Sequence, residues 1–293
     1  MNYIEFITRL KRIMPTKAYL KIQRHYRIFK RKITPNLSEE EFRNILINKL
    51  GLHKGAVVFI HSSMDNLNIA FPFYRLLSLV LDIVGRDEGT VLFPTTQISI
   101  RAEEYLSENI DQIIFDVKKS PTTRGILPEF ARRQKKAIRS LHPTDSVVAI
   151  GKYARELTEN HEKSLYPTGE NSPFYKIMKH DGIIIGLGVG TYNLSFVHCV
   201  EDVMQEKFPI KTRKDEVFEC RIRDYAGDVQ NVKTLVANDG IGKRDIPSYI
   251  KMHIPDSVCK DLKINSSNFF YAKSQTLFDM MRELASKNIT IYK

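Results

Sequence analysis

Residues 182–204 read GIIIGLGVGTYNLSFVHCVEDVM, and the order of residue types in this stretch sets the architecture. Gly182 to Gly188 is a short apolar run rich in β-branched side chains, the pattern of a strand covered on both faces. Glycines and Thr191-Tyr192-Asn193 then break the run, after which Phe196, Val197, Val200, Val203 and Met204 recur at helical spacing. Strand, polar turn and helix in that order make a βα unit. Ligands in parallel α/β sheets gather beyond the carboxyl ends of the strands, so the turn and the first helical residues are where chemistry is expected.

Working outward, AVVFI (56–60), TVLFP (90–94) and SVVAI (146–150) read as further strands, the first two ending at His61-Ser62-Ser63 and Thr95-Thr96. A buried helix is predicted from Phe73 to Val84, after Pro72 and stopped by Gly85. Ser38 and Glu41 have the spacing of a capping box ahead of Phe42, Ile45, Leu46 and Leu50. Beyond Glu216, the period-two segments VFECRIR and VQNVKTLV flank Tyr225-Ala226-Gly227-Asp228 and predict an antiparallel hairpin, and a helix is expected near 274–286. The expected fold class is α/β: three α/β/α layers around a largely parallel or mixed sheet, with a β-hairpin-rich C-terminal portion and an N-terminal basic helical arm. With no internal repeat or low-complexity linker, the expected division is an extension at 1–37 and one domain at 38–293.

The net charge of +11 suggests nucleic acid until it is located. Residues 1–32 hold ten Lys/Arg against one acid, Glu5, so this segment carries +9 and the rest of the chain only +2. No nucleic-acid partner is therefore expected. The arm interleaves its charges with Ile4, Phe6, Ile7, Leu10, Ile13 and Met14, and then Leu20, Ile22, Ile28 and Phe29. It reads as basic amphipathic helix packed on the body, with peripheral contact to the inner face of a membrane through residues 1–33 as the alternative. No apolar run is long enough to span a bilayer and the start does not resemble a secretory signal, so a cytoplasmic location is expected. Cys199, Cys220 and Cys259 are odd in number and far apart, which argues for reduced, buried thiols and against disulfides or structural zinc.

His198 and Glu201 stand at i and i+3, on one face beside the apolar stripe. A carboxylate on one imidazole nitrogen fixes the tautomer and steadies the imidazolium, leaving the other nitrogen to accept a proton. Alone, His-x-x-Glu is weak, because an ordinary helical ion pair has the same spacing. Cys199 lies about 100° around the helix from His198 and is read as packing. Gly186-x-Gly188-x-Gly190 lacks the spacing of a dinucleotide loop. Lys118 to Gly125 and Arg139 to Ser146 cluster guanidinium groups, hydroxyls and glycine in a way that suits a phosphorylated ligand or, equally, a solvated basic loop.

Taken in order, VFIHSSM (58–64), GTVLFPT (89–95), SPTTRGILPEFARR (120–133), IRSLHPTDSVVAIGKYA (138–154), GENSPFYKI (169–177) and DGIIIGLGVGTYNLSFVHCVE (181–201) resemble the aminoglycoside 3-N-acetyltransferase family. The similarity runs over roughly residues 38–290. It implies direct transfer of an acetyl or other short acyl group from acyl-CoA to an amine in a ternary complex, without metal. It also implies His198 as general base and Glu201 as its orienting partner, with Ser62, Ser63, Thr123, Gly125, Arg139, Ser140, His142 and Ser146 on the coenzyme-binding surface. The family's glycine pair after the His-Ser-Ser segment is replaced here by Asn68-Ile69-Ala70, and the basic arm is additional.

Aminoglycosides are polycations and the body of the chain is slightly basic. The acceptor expected from charge is therefore a nucleotide-linked amino sugar of surface-polysaccharide assembly, with aminoglycoside acetylation conferring antibiotic resistance as the alternative. A homo-oligomer is compatible with the sequence. From other classes, a basic membrane- or nucleic-acid-binding module and a metal hydrolase built on His142, His198 and Glu201 are the competing readings.

Overall fold

The computed structural model describes residues 34–109 and 111–293, together with Ala18 and Ile22. The basic amphipathic helix and its membrane contact, expected within residues 1–33, therefore lie outside the described residues apart from those two positions. The strands among the described residues are β1 (Val57–Ser62), β2 (Thr90–Pro94), β3 (Ile113–Asp116), β4 (Ile138–Arg139), β5 (Val147–Gly151), β6 (Ile183–Leu187), β7 (Arg213–Arg223), β8 (Val229–Ala237), β9 (Cys259–Ile264) and β10 (Ser267–Lys273).

Seven strands form one sheet in the order β4-β5-β2-β1-β6-β10-β9. Its centre, β2-β1-β6, is parallel, while β5, β4, β10 and β9 run antiparallel to their neighbours, so the sheet is mixed. The short links from β4 to β5 and from β9 to β10 leave no room for a crossover, which forces antiparallel pairing. Neither hairpin was legible in the sequence. In β10, the alternation that would reveal a strand is lost because Phe269, Phe270 and Ala272 are all buried.

The central strands split their side chains between two cores. Val57 and Phe59 of β1 join one, with Leu92, Ile184 and the helices Val197–Met204 and Ser274–Ser286. Val58 and Ile60 join the other, with Val91, Phe93 and the helices Phe73–Val84 and Ile126–Arg132. Period-two alternation with both faces apolar is what makes the strands look continuously hydrophobic, and it yields the expected three layers. The helix Phe73–Val84 has its predicted bounds, buries Leu76, Leu77, Val80, Ile83 and Val84, and ends at Gly85 with φ 79°.

The predicted hairpin forms as β7 and β8, which with β3 make a separate three-stranded sheet over a third core of Phe115, Phe218, Cys220, Ile222 and Val232. The capping box closes as expected: Ser38 N–H donates to Glu41 at 2.7 Å and Glu41 N–H to Ser38 Oγ at 3.2 Å. All three cysteines are buried free thiols. Among the described residues, no helix is long and apolar enough to cross a membrane.

Candidate active site

The site is built where β1 and β6 end side by side, Ser62 opposite Leu187. Ser63 N–H donates to Leu187 O at 2.9 Å, and Gly188 turns the chain with φ 74° so closely that a Cβ there would sit 2.3 Å from Ser63 O. Only glycine meets both demands. Gly188→Ala is expected to destabilise the fold by about 2 kcal/mol or more. The check is a denaturant titration, in which an unchanged midpoint would show that the turn yields without cost. Asp261 of β9 then holds the following turn, accepting from Thr191 N–H at 2.8 Å and from its hydroxyl at 2.6 Å.

This turn delivers the helix Val197–Met204 with Val197, Cys199 and Val200 buried and His198 beside the core. His198 Nδ1 lies 2.9 Å from Glu201 Oε2. The other carboxylate oxygen accepts from the Tyr292 hydroxyl at 3.1 Å, and burial pushes that phenol up, so it stays a donor. Arg244 Nη1 sits 3.2 Å from His198 Nε2. A carboxylate only accepts and a guanidinium only donates, so both neighbours select the same neutral tautomer: hydrogen on Nδ1, lone pair on Nε2. Asp202, the next acid along, takes Arg213 through two bonds of 2.7 Å and Thr168 through two more, and is buried out of play.

The imidazole faces a cleft of about 570 Å³, a size suited to a small-molecule ligand. Among the described residues, His61 Nε2, Ser62 Oγ and Ser195 Oγ are buried without a hydrogen-bond partner, and all three residues line this cleft. Buried polar groups without partners are uncommon in native folds, and these three belong to residues that border the cleft. His61 packs against Phe59 and Phe270, and burial together with the Arg124 charge pulls its imidazole down to about 3. Asp145, Glu201 and Asp239 line the cleft together with Arg124, Arg213 and Arg244.

Of the residues the sequence put on a coenzyme surface, Ser62 and Ser146 line the cleft. Thr123 and Gly125 flank Arg124, which also lines it; the Thr123 hydroxyl donates to Thr96 O and Ile98 O. Ser63 lies outside the lining and accepts from Asn66 Nδ2 at 3.0 Å. Arg139, Ser140 and His142, also expected on the coenzyme surface, are not among the residues that line the cleft. Arg139 is 2% exposed, stacks 4.6 Å over Phe115, and donates inward to Ser120 O, Thr95 O and the Thr95 and Ser146 hydroxyls. Ser140 bonds Val147 N–H and His161, and His142 stacks on His161 at 4.5 Å. Arg244, Tyr292 and Asp261 were missed, since no local motif surrounds any of them. His61, at the end of a predicted strand, and Arg124, in the basic 118–125 cluster, stood in segments expected to meet a ligand but were given no individual role.

The sequence profile described as aminoglycoside 3-N-acetyltransferase matches residues 59–286, most of the chain. The chain belongs to that family. Its relatives include aminoglycoside N(3)-acetyltransferase IX of Micromonospora chalcea, 28% identical over 179 residues, covering 54% of this chain and 61% of the relative. The SPbeta prophage-derived aminoglycoside N(3')-acetyltransferase-like protein YokD of Bacillus subtilis (strain 168) is 25% identical over 169 residues, covering 53% and 61%. The matched region thus spans about three-fifths of these relatives' length. Aminoglycoside acetyltransferase AAC(3)-Xa superposes with a TM-score of 0.75 at 18% identity, over 92% of this chain and 99% of that one. AAC-IIIb in binary complex with CoASH gives 0.69 at 18%, over 88% and 100%. At such identity the structures show a shared fold.

These matches overturn the nucleotide-linked amino sugar as the expected acceptor and favour the alternative, the aminoglycosides. Net charge averages over the whole body and so does not identify an acceptor, which meets only the cleft, where three carboxylates and three arginines balance.

Proposed function

We propose that this family member transfers an acetyl group from acetyl-CoA to an amino group of an aminoglycoside, with His198 as general base and Glu201 as its partner, and so confers resistance to such antibiotics. The observation that carries the reading is the His198 imidazole, held by Glu201 on one nitrogen and lining the cleft. An amine is protonated near neutral pH and becomes nucleophilic only when a proton leaves, which a placed imidazole assists by about 10²–10⁴-fold. Glu201, itself held by Tyr292, stabilises the imidazolium that results. The unpartnered groups of His61, Ser62 and Ser195 fit a ligand rich in amide and carbonyl groups, as the pantetheine arm is. We propose further that the transferase unit spans 38–293 with 1–37 as an extension. Hydrogen bonds from Leu37 to Asn68 and from Asn68 to Thr34 tie the junction to the body.

The test is release of free CoA thiol on adding gentamicin- or kanamycin-type amines to protein and acetyl-CoA. Turnover is expected, together with a raised inhibitory concentration of the drug for a susceptible bacterium expressing the protein. No thiol release with any aminoglycoside would overturn the assignment.

A further inference from the structure

Among the described residues, Arg244 is the arginine of the cleft whose side chain bonds His198. Arg213 is locked onto Asp202, and Arg101 pairs with Asp239 at the cleft's edge. Arg244 is exposed, lines the cleft and, among the described residues, has no carboxylate partner; its side chain bonds the nitrogen of His198 that faces away from Glu201. Its backbone is held by elements that also hold the catalytic pair. Arg244 bridges antiparallel to Tyr292, whose phenol grips Glu201, and the neighbouring Asp245 caps the helix Ile246–His253 by accepting from Ser248 N–H at 3.3 Å.

We propose that Arg244 is a catalytic residue that stabilises the oxyanion formed on the thioester carbonyl as the acceptor amine attacks. The inference rests on the transferase reading above. To give its proton to Nε2 the amine nitrogen must come within hydrogen-bond reach of it, and the carbonyl oxygen of the adduct is then two bonds from that nitrogen. A guanidinium 3.2 Å from Nε2 in the free protein needs only a side-chain rotation to pass from the imidazole lone pair to that oxygen. The step itself starts from the free amine, whose first proton has already left to solvent by way of His198. The nitrogen lone pair forms the C–N bond, the carbonyl π pair moves onto oxygen beside Arg244, and the proton that the adduct nitrogen then sheds passes to the again neutral His198 Nε2. Collapse of the oxyanion restores the carbonyl and breaks the C–S bond, and the departing sulfur takes the proton from His198. The guanidinium stays charged throughout and exchanges no proton. Its resting contact with His198 also keeps the lone pair aimed at the cleft.

Arg244→Gln, Arg244→Lys and His198→Ala are compared by thiol release with acetyl-CoA and an aminoglycoside. Arg244→Gln is expected to lower kcat about 100-fold, the usual effect of losing one oxyanion donor, with KM for acetyl-CoA little changed. Arg244→Lys is expected to fall between, and added guanidinium ion to restore part of the activity of Arg244→Gln but none of His198→Ala. If no amine is acetylated, the same comparison is read on slow acetyl-CoA hydrolysis, whose intermediate carries the same oxyanion. Wild-type or higher kcat in Arg244→Gln would make Arg244 a gate over His198 and overturn the proposal. Turnover surviving in His198→Ala would instead remove the base, and with it the reading on which Arg244 depends.

Discussion

His198→Ala is expected to lower turnover by about 10²–10⁴-fold while acetyl-CoA still binds, because the imidazole supplies the proton acceptor and little of the cleft's surface. The imidazole is in contact with Glu201 and Arg244, and both contacts act through its two nitrogens. Removing the ring leaves Glu201 bonded to Tyr292, so the buried carboxylate keeps one partner and the fold is expected to survive. The measurement pairs kcat from thiol release with CoA affinity from calorimetry. Near-normal turnover would take His198 out of the mechanism. Loss of turnover and CoA binding together would show that the ring mainly shapes the cleft.

Mild acid is expected to unfold this protein at lower denaturant than neutral pH does. Burial pulls both His61 and His142 down to about 3, and His161, stacked on His142, is held well below its ordinary value by burial and by that neighbour. The unfolded chain binds protons on these imidazoles below about pH 6.5, whereas the folded chain keeps His61 and His142 neutral until far lower pH. Unfolding therefore takes up protons, and stability falls as pH drops through that window. Between pH 7.5 and 5.5 the loss is roughly 1.4 kcal/mol for each of His61 and His142, about 3 kcal/mol together, and His161 adds in the same direction. Denaturant titrations at the two pH values check this. Equal midpoints would mean that the buried imidazoles titrate freely in the folded state.

The two classes of charged residue in the site show why one half was legible in the sequence and the other was not. His198 and Glu201 are one helical turn apart, so spacing alone placed them on one face. Arg244 and Tyr292 come from 46 and 91 residues away and meet them only because the segments at Arg244 and Tyr292 pair with each other beside the helix. Arg139 shows the converse case. Its charge suggested a phosphate ligand, but a buried guanidinium with internal acceptors is a strut between β2, β4 and the 120 loop.

What the sequence determined by itself was local: the apolar strands, the helix Phe73–Val84 with its glycine stop, the capping box at Ser38, and the His198 and Glu201 pair. Each follows from periodicity or capping within a few residues, where backbone geometry dictates which side chains share a face. Tertiary structure alone decided the antiparallel flanks of the sheet, the inward turn of Arg139, and the arrival of Arg244 and Tyr292 at the imidazole. Those depend on which buried surfaces close on one another, and a side chain's charge or spacing does not say whether it ends in water, in the core or against a partner brought from elsewhere in the chain.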